Sequence, residues 1–247
     1  MEQLWFTRLL NSFLAKPVTA LLLFLHRPVA NPAAPISNSV AMETLVALLL
    51  ALFGSWIGGR LSEDEPGAWQ HVMEWFWTAL GDHTEDVIDH AGRRFLPFLM
   101  TLTLFILIGN LFGLFRPFLE SPTATVTVPI GLAVAAFFYY NYHGIKQQGV
   151  GHYLAHFAGP VPALAPLMFP IEIISHLARM LSLSVRLWAN MYAGDMITTV
   201  FTALLPIAGV AFMGLHVFVA VLQTYIFVVL TMAYLTGATV QEHAADL

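Results

Sequence analysis

Between residues 162 and 235 the chain is almost continuously apolar, broken chiefly at Pro206. This divides the stretch into segments of about forty and thirty residues, which at 1.5 Å per residue far exceed the roughly 30 Å of a bilayer's hydrocarbon. Such segments have to be steeply tilted, bent or partly horizontal. The composition agrees with lipid as the solvent: 58% of the 247 residues are hydrophobic and 10% are charged, against roughly 25% charged in an average soluble domain. A soluble enzyme is thereby excluded, and the expected fold is an all-α polytopic membrane protein. The ten Lys and Arg are scattered singly in a chain of net charge -5, so no basic patch is available to neutralise a phosphate backbone and nucleic acid is not an expected partner. Without cysteine there is no disulfide, thiolate metal site or cysteine nucleophile.

Along the chain, residues 1–38 hold one short apolar run, 18–25, bracketed by Lys16 and by His26-Arg27-Pro28. Eight residues cannot cross a bilayer. The segment reads as an N-terminal interfacial helix ending at the proline-rich 28–35, with a cleaved leader as the alternative. Residues 39–247 then form a single membrane domain. A first span covers about 40–58, carrying only Glu43 and closed by Gly58-Gly59-Arg60. In 62–94 the composition inverts, with eight acids among Trp69, Val72, Trp75, Phe76, Leu80 and Ile88, a pattern suited to an amphipathic surface helix over about 66–92. Further spans are expected at about 95–115, 126–142, 162–205 and 206–237, about five in all, the last two forming a long tilted hairpin. Basic residues are spread too evenly over the loops for the positive-inside rule to orient the chain.

The longest polar intrusion into this lipid-soluble sequence is 171–195. Taking Arg186 as the origin of a helical wheel, Glu172, Ser175, Arg179, Ser182 and Asn190 all lie within about 40° of it. A charged side chain at mid-membrane costs about 2.5 to 3.5 kcal/mol even on the gentler insertion scale. Three charges on one stripe therefore demand a partner or a watery cavity. Snorkelling from a helix end would serve Glu172 and Arg179; it serves Arg186 poorly, because Arg186 has apolar neighbours on both sides. Asp195 falls near 180°, on the opposite face. In the last segment His216, Gln223 and Tyr234 lie within about 20° of one another, with Gly209 on the same line. A lone intramembrane histidine is as readily a packing residue. Paired with Asp195 on the preceding segment it reads better as part of a proton relay, since burial moves both types of group toward neutrality.

At this point a family resemblance is specific. LSLSVRLWANMYAGD (181–195) resembles the signature of the membrane-embedded a subunit of rotary ATP synthases, the stator half of their proton channel. RRFLPFLMTLTLFILIGNLFGL followed by SPTATVTV resembles the family's central hairpin, and HVFVAVLQTYIFVVLTMAYL its last helix. The resemblance covers roughly 40–240. It implies that Arg186 is the essential stator charge, that Asn190 is the asparagine four residues later, and that Glu172, Asp195, His216 and Gln223 belong to the proton path. It further implies two offset half-channels, one passing Asp195, His216 and Gln223 and the other passing Glu172. The implied partners are a ring of c subunits, peripheral-stalk b subunits and membrane lipid, in the bacterial inner membrane. The chain alone would make no covalent bond, and no metal or cofactor is implied. Trp188-Ala189, Met180, Thr125 and Thr127 depart from the family's usual residues, which affects fine packing.

Two other classes compete. His152 and His156 have the i, i+4 spacing of paired metal ligands, and His83, Asp86 and His90 form a carboxylate–histidine group, as in a membrane metal-dependent oxidoreductase. The first reads equally as a glycine-bordered loop and the second as a solvated amphipathic face. A small-molecule or ion transporter also buries charges in broken helices, but no inverted repeat is evident.

Overall fold

The structure, a computed structural model, describes residues 3–26, 31–62, 66–88, 90–149, 151 and 165–239. Among them there are helices and no strand, as expected of a polytopic membrane chain, whose backbone groups have to be satisfied internally. Among the described residues seven α-helices follow in order: α1 Trp5–Phe24, α2 Asn38–Gly58, α3 Ala68–Ile88, α4 Leu96–Leu111, α5 Thr127–Gln148, α6 Ala165–Leu204 and α7 Pro206–Thr239. Four helical stretches are long and apolar enough to cross a membrane: Asn38–Gly58, Gly92–Phe115, Pro166–Leu204 and Ile207–Thr239. The stretch expected at 126–142 is helical within α5, whose second half carries Tyr139, Tyr140, Asn141, Tyr142, His143 and Lys146. That half dilutes its apolar character below the other four.

The chain groups into two compact units. The first comprises Met1–Gly67, Leu104–Val128 and Trp188–Leu222. Here α1 docks on α2 through a core of Phe6, Ile36, Ala41, Met42, Val46 and Phe112. The connection is fixed by Asn11, whose side-chain amide donates to the Ile36 carbonyl at 3.1 Å while its oxygen accepts from the Ile36 N–H at 3.1 Å. One buried asparagine thus satisfies both backbone groups of a residue that no helix would otherwise serve. Ser37 caps α2, its hydroxyl accepting from the Val40 N–H at 3.5 Å. Within this unit the end of α6 and the start of α7 form an antiparallel hairpin joined by Leu205 alone. The rings of Phe201 and Phe212 stack 4.2 Å apart. Gly209 lies so close to Thr202 that a Cβ there would sit 2.8 Å from the threonine Cα, so a glycine is what lets the two backbones approach.

The second unit comprises Ala68–Thr103, Pro129–Leu187 and Gln223–Leu247. Its core gathers Ile88, Phe95, Leu99, Tyr140, Val228, Met232, Leu235 and Ala238. The surface helix expected over 66–92 is shorter: α3 ends at Ile88 and a 3-10 segment, His90–Phe95, leads into α4. Arg93 in that segment pairs with Glu85 and lies 3.9 Å from Asp82, while Trp69, Val72, Trp75 and Trp77 stay exposed. The amphipathic pattern therefore resolves into an acidic face tied by Arg93 and an aromatic face left outward.

The last two helices have the lengths the apolar run dictates. Helix α6 has 40 residues and α7 has 34, so α6 is about 60 Å long, twice the hydrocarbon thickness.

Candidate functional site

In the first unit, a polar pocket assembles where α6, α7 and the end of α4 supply one ionisable or amide group each. Asp195 and His216 are both only 3% exposed, and His216 Nε2 lies 3.7 Å from Asp195 Oδ1. The pair anticipated from helical spacing is thus brought together. The other carboxylate oxygen, Oδ2, accepts from Arg116 at 2.8 Å. Arg116 also donates to the Thr199 hydroxyl at 3.4 Å, and that hydroxyl in turn donates to the Asp195 carbonyl at 2.7 Å. An arginine with two acceptors on neighbouring turns of one helix fixes both the rotamer and the depth of the carboxylate.

His216 is held from the other side. Its Nε2 lies 3.3 Å from the Asn110 carbonyl. Asn110, fully buried, donates its side-chain N–H to the Ala220 carbonyl at 3.3 Å and accepts from the Thr123 hydroxyl at 2.6 Å. Two glycines make the space. A Cβ at Gly113 would fall 2.5 Å from Asp195 Oδ1 and 3.1 Å from His216 Nε2, and a Cβ at Gly194 would fall 2.8 Å from His216 Nδ1. Any larger residue at either position displaces the acid or the imidazole. Asp195 Oδ1 and His216 Nδ1 have no hydrogen-bond partner among the described residues. Buried polar atoms in that condition call for a partner from outside the protein, water or a proton. A pocket of about 190 Å³ adjoins His216, which is its ionisable wall residue among the described residues, and Asn190 and Gly194 also line it. It has room for several water molecules. The arrangement can accept a proton from pocket water at the imidazole and pass it toward the carboxylate.

Other anticipated residues lie in the second unit. Glu172 Oε1 is 3.3 Å from His176 Nε2 and 3.8 Å from an Arg179 nitrogen, so the two charges of the stripe's beginning compensate each other. Gln223 is fully buried on α7, and Tyr234 lies beneath the Arg179 guanidinium at 5.8 Å. Arg186 stands apart. Its side chain is exposed on the same face as the exposed Ser182 and Asn190, and among the described residues nothing forms an ion pair or hydrogen bond with it. Arg116 and His176 were not anticipated: the first reads in sequence as part of a turn before Pro117, and the second sits about 80° off the Arg186 stripe. The i, i+4 spacing of Glu172 and His176 was the available signal for the second.

The metal reading fares differently. His152 and His156 lie outside the described residues, as does the side chain of His90. His83 is occupied by a 3.4 Å contact with the Tyr225 hydroxyl. Among the described residues no three His, Asp or Glu side chains gather as a metal site.

Fold and pocket define a multi-pass membrane protein with an ionisable cluster buried in an apolar helical frame. Comparison with known proteins narrows this further. The family model for ATP synthase A chain matches residues 40–236. ATP synthase subunit a of Koribacter versatilis is 49% identical over 243 residues, 98% of this chain and 99% of that protein. The same-named protein of Solibacter usitatus is 49% identical over 87% of this chain and 92% of its own length. That of Nitratiruptor is 42% identical over 78% and 86%. The chain belongs to the ATP synthase A chain family.

Proposed function

We propose that this chain is the stator subunit of a proton-translocating ATP synthase, multi-pass in a bacterial inner membrane, and that it serves a ring of c subunits through two offset half-channels. The observation that carries the reading is Arg186, an exposed guanidinium within a long apolar helix, beside the exposed Ser182 and Asn190 and with no acidic partner among the described residues. Leaving such a charge in lipid costs about 2.5 to 3.5 kcal/mol or more, which an anionic group on an adjoining subunit would offset. A guanidinium does not deprotonate in proteins, so it cannot pass a proton on. It can hold an arriving ring carboxylate ionised, forcing that carboxylate to unload on one side and reload on the other.

Along α6 Arg186 comes between Glu172 and Asp195. In this reading Asp195, His216, Asn190 and Gln223 serve the outer half-channel and Glu172 the inner one. The path changes no covalent bond other than those to the travelling proton. A proton crossing releases about 2.3 kcal/mol per 100 mV, so a continuous water path would waste the source of torque. The same reading has α5 as a further crossing, giving five, with residues 1–38 interfacial and 39–247 one membrane domain. Peripheral-stalk b subunits and lipid are the remaining partners.

The test is the Arg186→Ala complex in inverted membranes. ATP-driven proton pumping should be abolished while the complex stays assembled, and Arg186→Lys should not restore it, because an ammonium loses its proton more readily than a guanidinium. Normal coupled pumping by Arg186→Ala would reject the stator role.

A further inference from the structure

We infer that His176 is a proton-passing residue of the inner half-channel, carrying that path one helical turn deeper than Glu172. The inference rests on the stator reading above and adds a residue to it. Both ring nitrogens are engaged. Nε2 faces Glu172 Oε1 at 3.3 Å and Nδ1 lies 3.0 Å from the Tyr140 hydroxyl. The ring is largely shielded, with 12% of its side chain exposed, and Phe137 meets it edge-on at 6.4 Å. A packing histidine needs only one hydrogen bond and an apolar wall. This one instead joins two groups that exchange protons, on two different helices, α5 and α6.

The network fixes the resting tautomer. The proton on Nε2 points at the carboxylate, so Nδ1 accepts from the Tyr140 hydroxyl. In one passage the Tyr140 O–H bond breaks as an N–H bond forms at Nδ1, and the hydroxyl is replenished from water. The ring, now protonated on both nitrogens, then gives its Nε2 proton to Glu172, which becomes a neutral acid and releases that proton to water. One proton has moved, and the ring resets by turning about its Cβ–Cγ bond, so that the Nδ1 proton leaves on the Glu172 side and Nε2 is reloaded from the Tyr140 side before it turns back, which moves a second proton the same way. Among the described residues the charged and titratable groups facing the imidazole include Glu172 and Arg179 on α6 and Tyr140 on α5; Tyr234 on α7 lies under Arg179. Arg179 shares Glu172 Oε1 at 3.8 Å, so the acceptor is oriented without being saturated. Residue 176 also lies on the Arg186 side of Glu172 along the helix. It therefore extends the ionisable line toward the exposed arginine, where a ring carboxylate would load and unload.

The experiment uses the whole complex in proteoliposomes with its ATP-hydrolysing face outward, and ATP-driven pumping is followed while the external pH, which bathes the inner side, runs from about 6 to 8. His176→Gln preserves size and hydrogen bonding but holds no exchangeable charge, and pumping should fall at least about tenfold and lose its pH dependence in this range. His176→Ala leaves a ring-sized space, and added imidazole should restore part of the rate. Native pumping by His176→Gln at every pH overturns the inference. So does a loss that imidazole does not relieve and that leaves the native pH profile of pumping in place, which assigns the ring to packing. Arg186→Ala measured in parallel separates the two levels: if it pumps normally the stator reading itself fails, whereas a dead Arg186→Ala beside a native His176→Gln removes only the role of His176.

Discussion

Arg116 and Arg186 are the same side chain in two different situations. Arg116, with 39% of its side chain exposed, holds a buried carboxylate at 2.8 Å and a hydroxyl on the next turn. Its charge is answered inside the chain, so its role is to position Asp195. Arg186 is exposed within a long apolar helix and has no ion-pair partner among the described residues. Such an unanswered charge is useful only if something arrives to meet it. In the proposed reading, burial and pairing distinguish a cation that builds a site from one that meets a visiting group, although in sequence each is a single arginine in an apolar stretch.

The comparison can be broken in several ways. The largest effect is expected at Arg186: its replacement by Ala should reduce coupled proton pumping by about a hundredfold or more, read as quenching of a pH-sensitive dye in inverted vesicles. Next is His216→Ala, which removes the imidazole beside Asp195 and should slow proton uptake about tenfold without opening a passive leak. Placing His at 195 together with Glu at 216 should recover part of that rate, since the pair keeps one acid and one imidazole. An unchanged rate for His216→Ala from about pH 6 to pH 8 would return His216 to packing.

Arg116→Gln should be milder. It exchanges a charged donor to a buried carboxylate for a neutral one that can still hydrogen-bond, and a loss of roughly fivefold with partial rescue by Lys would mark positioning; a loss as deep as that of Arg186→Ala would erase the distinction between the two arginines. The smallest effect belongs to Gly194→Ala. The added methyl meets His216 Nδ1 at 2.8 Å, an overpacking cost of about 1 to 3 kcal/mol. The resulting ring displacement should appear as a fall in the thermal stability of the detergent-solubilised complex. If stability held and pumping alone fell, the glycine would matter to the pocket and not to the fold.

Much of this was legible in the residues because lipid enforces simple rules. The lengths of α6 and α7 follow from an apolar run broken chiefly at Pro206, and the proximity of Asp195 and His216 follows from their places on adjacent segments of one hairpin. What escaped depends on tertiary placement. Nothing in Arg116-Pro117 tells a reader that the guanidinium reaches a carboxylate nearly eighty positions later. Asn110 reads as a polar blemish in an apolar span, yet it anchors both His216 and Ala220. His176 escaped because the wheel was centred on Arg186, and its partner Tyr140 comes from another helix. The exposed aromatic face of α3 was legible as amphipathic, but its early end at Ile88 was not, since the 3-10 turn that follows is set by contacts of Arg93.

The one-residue link between α6 and α7 bears on how the chain enters a membrane. Leu204, Leu205 and Ile207 at the hairpin's tip are all exposed and apolar, so no hydrophilic loop exists there to be held back or translocated on its own. Nothing polar separates the two arms at the tip, and they approach each other along Thr202 and Gly209. Biogenesis of the arginine-bearing helix is then tied to that of the helix carrying His216, and lengthening the link with a polar insert is the change most apt to leave the chain synthesised but misrouted.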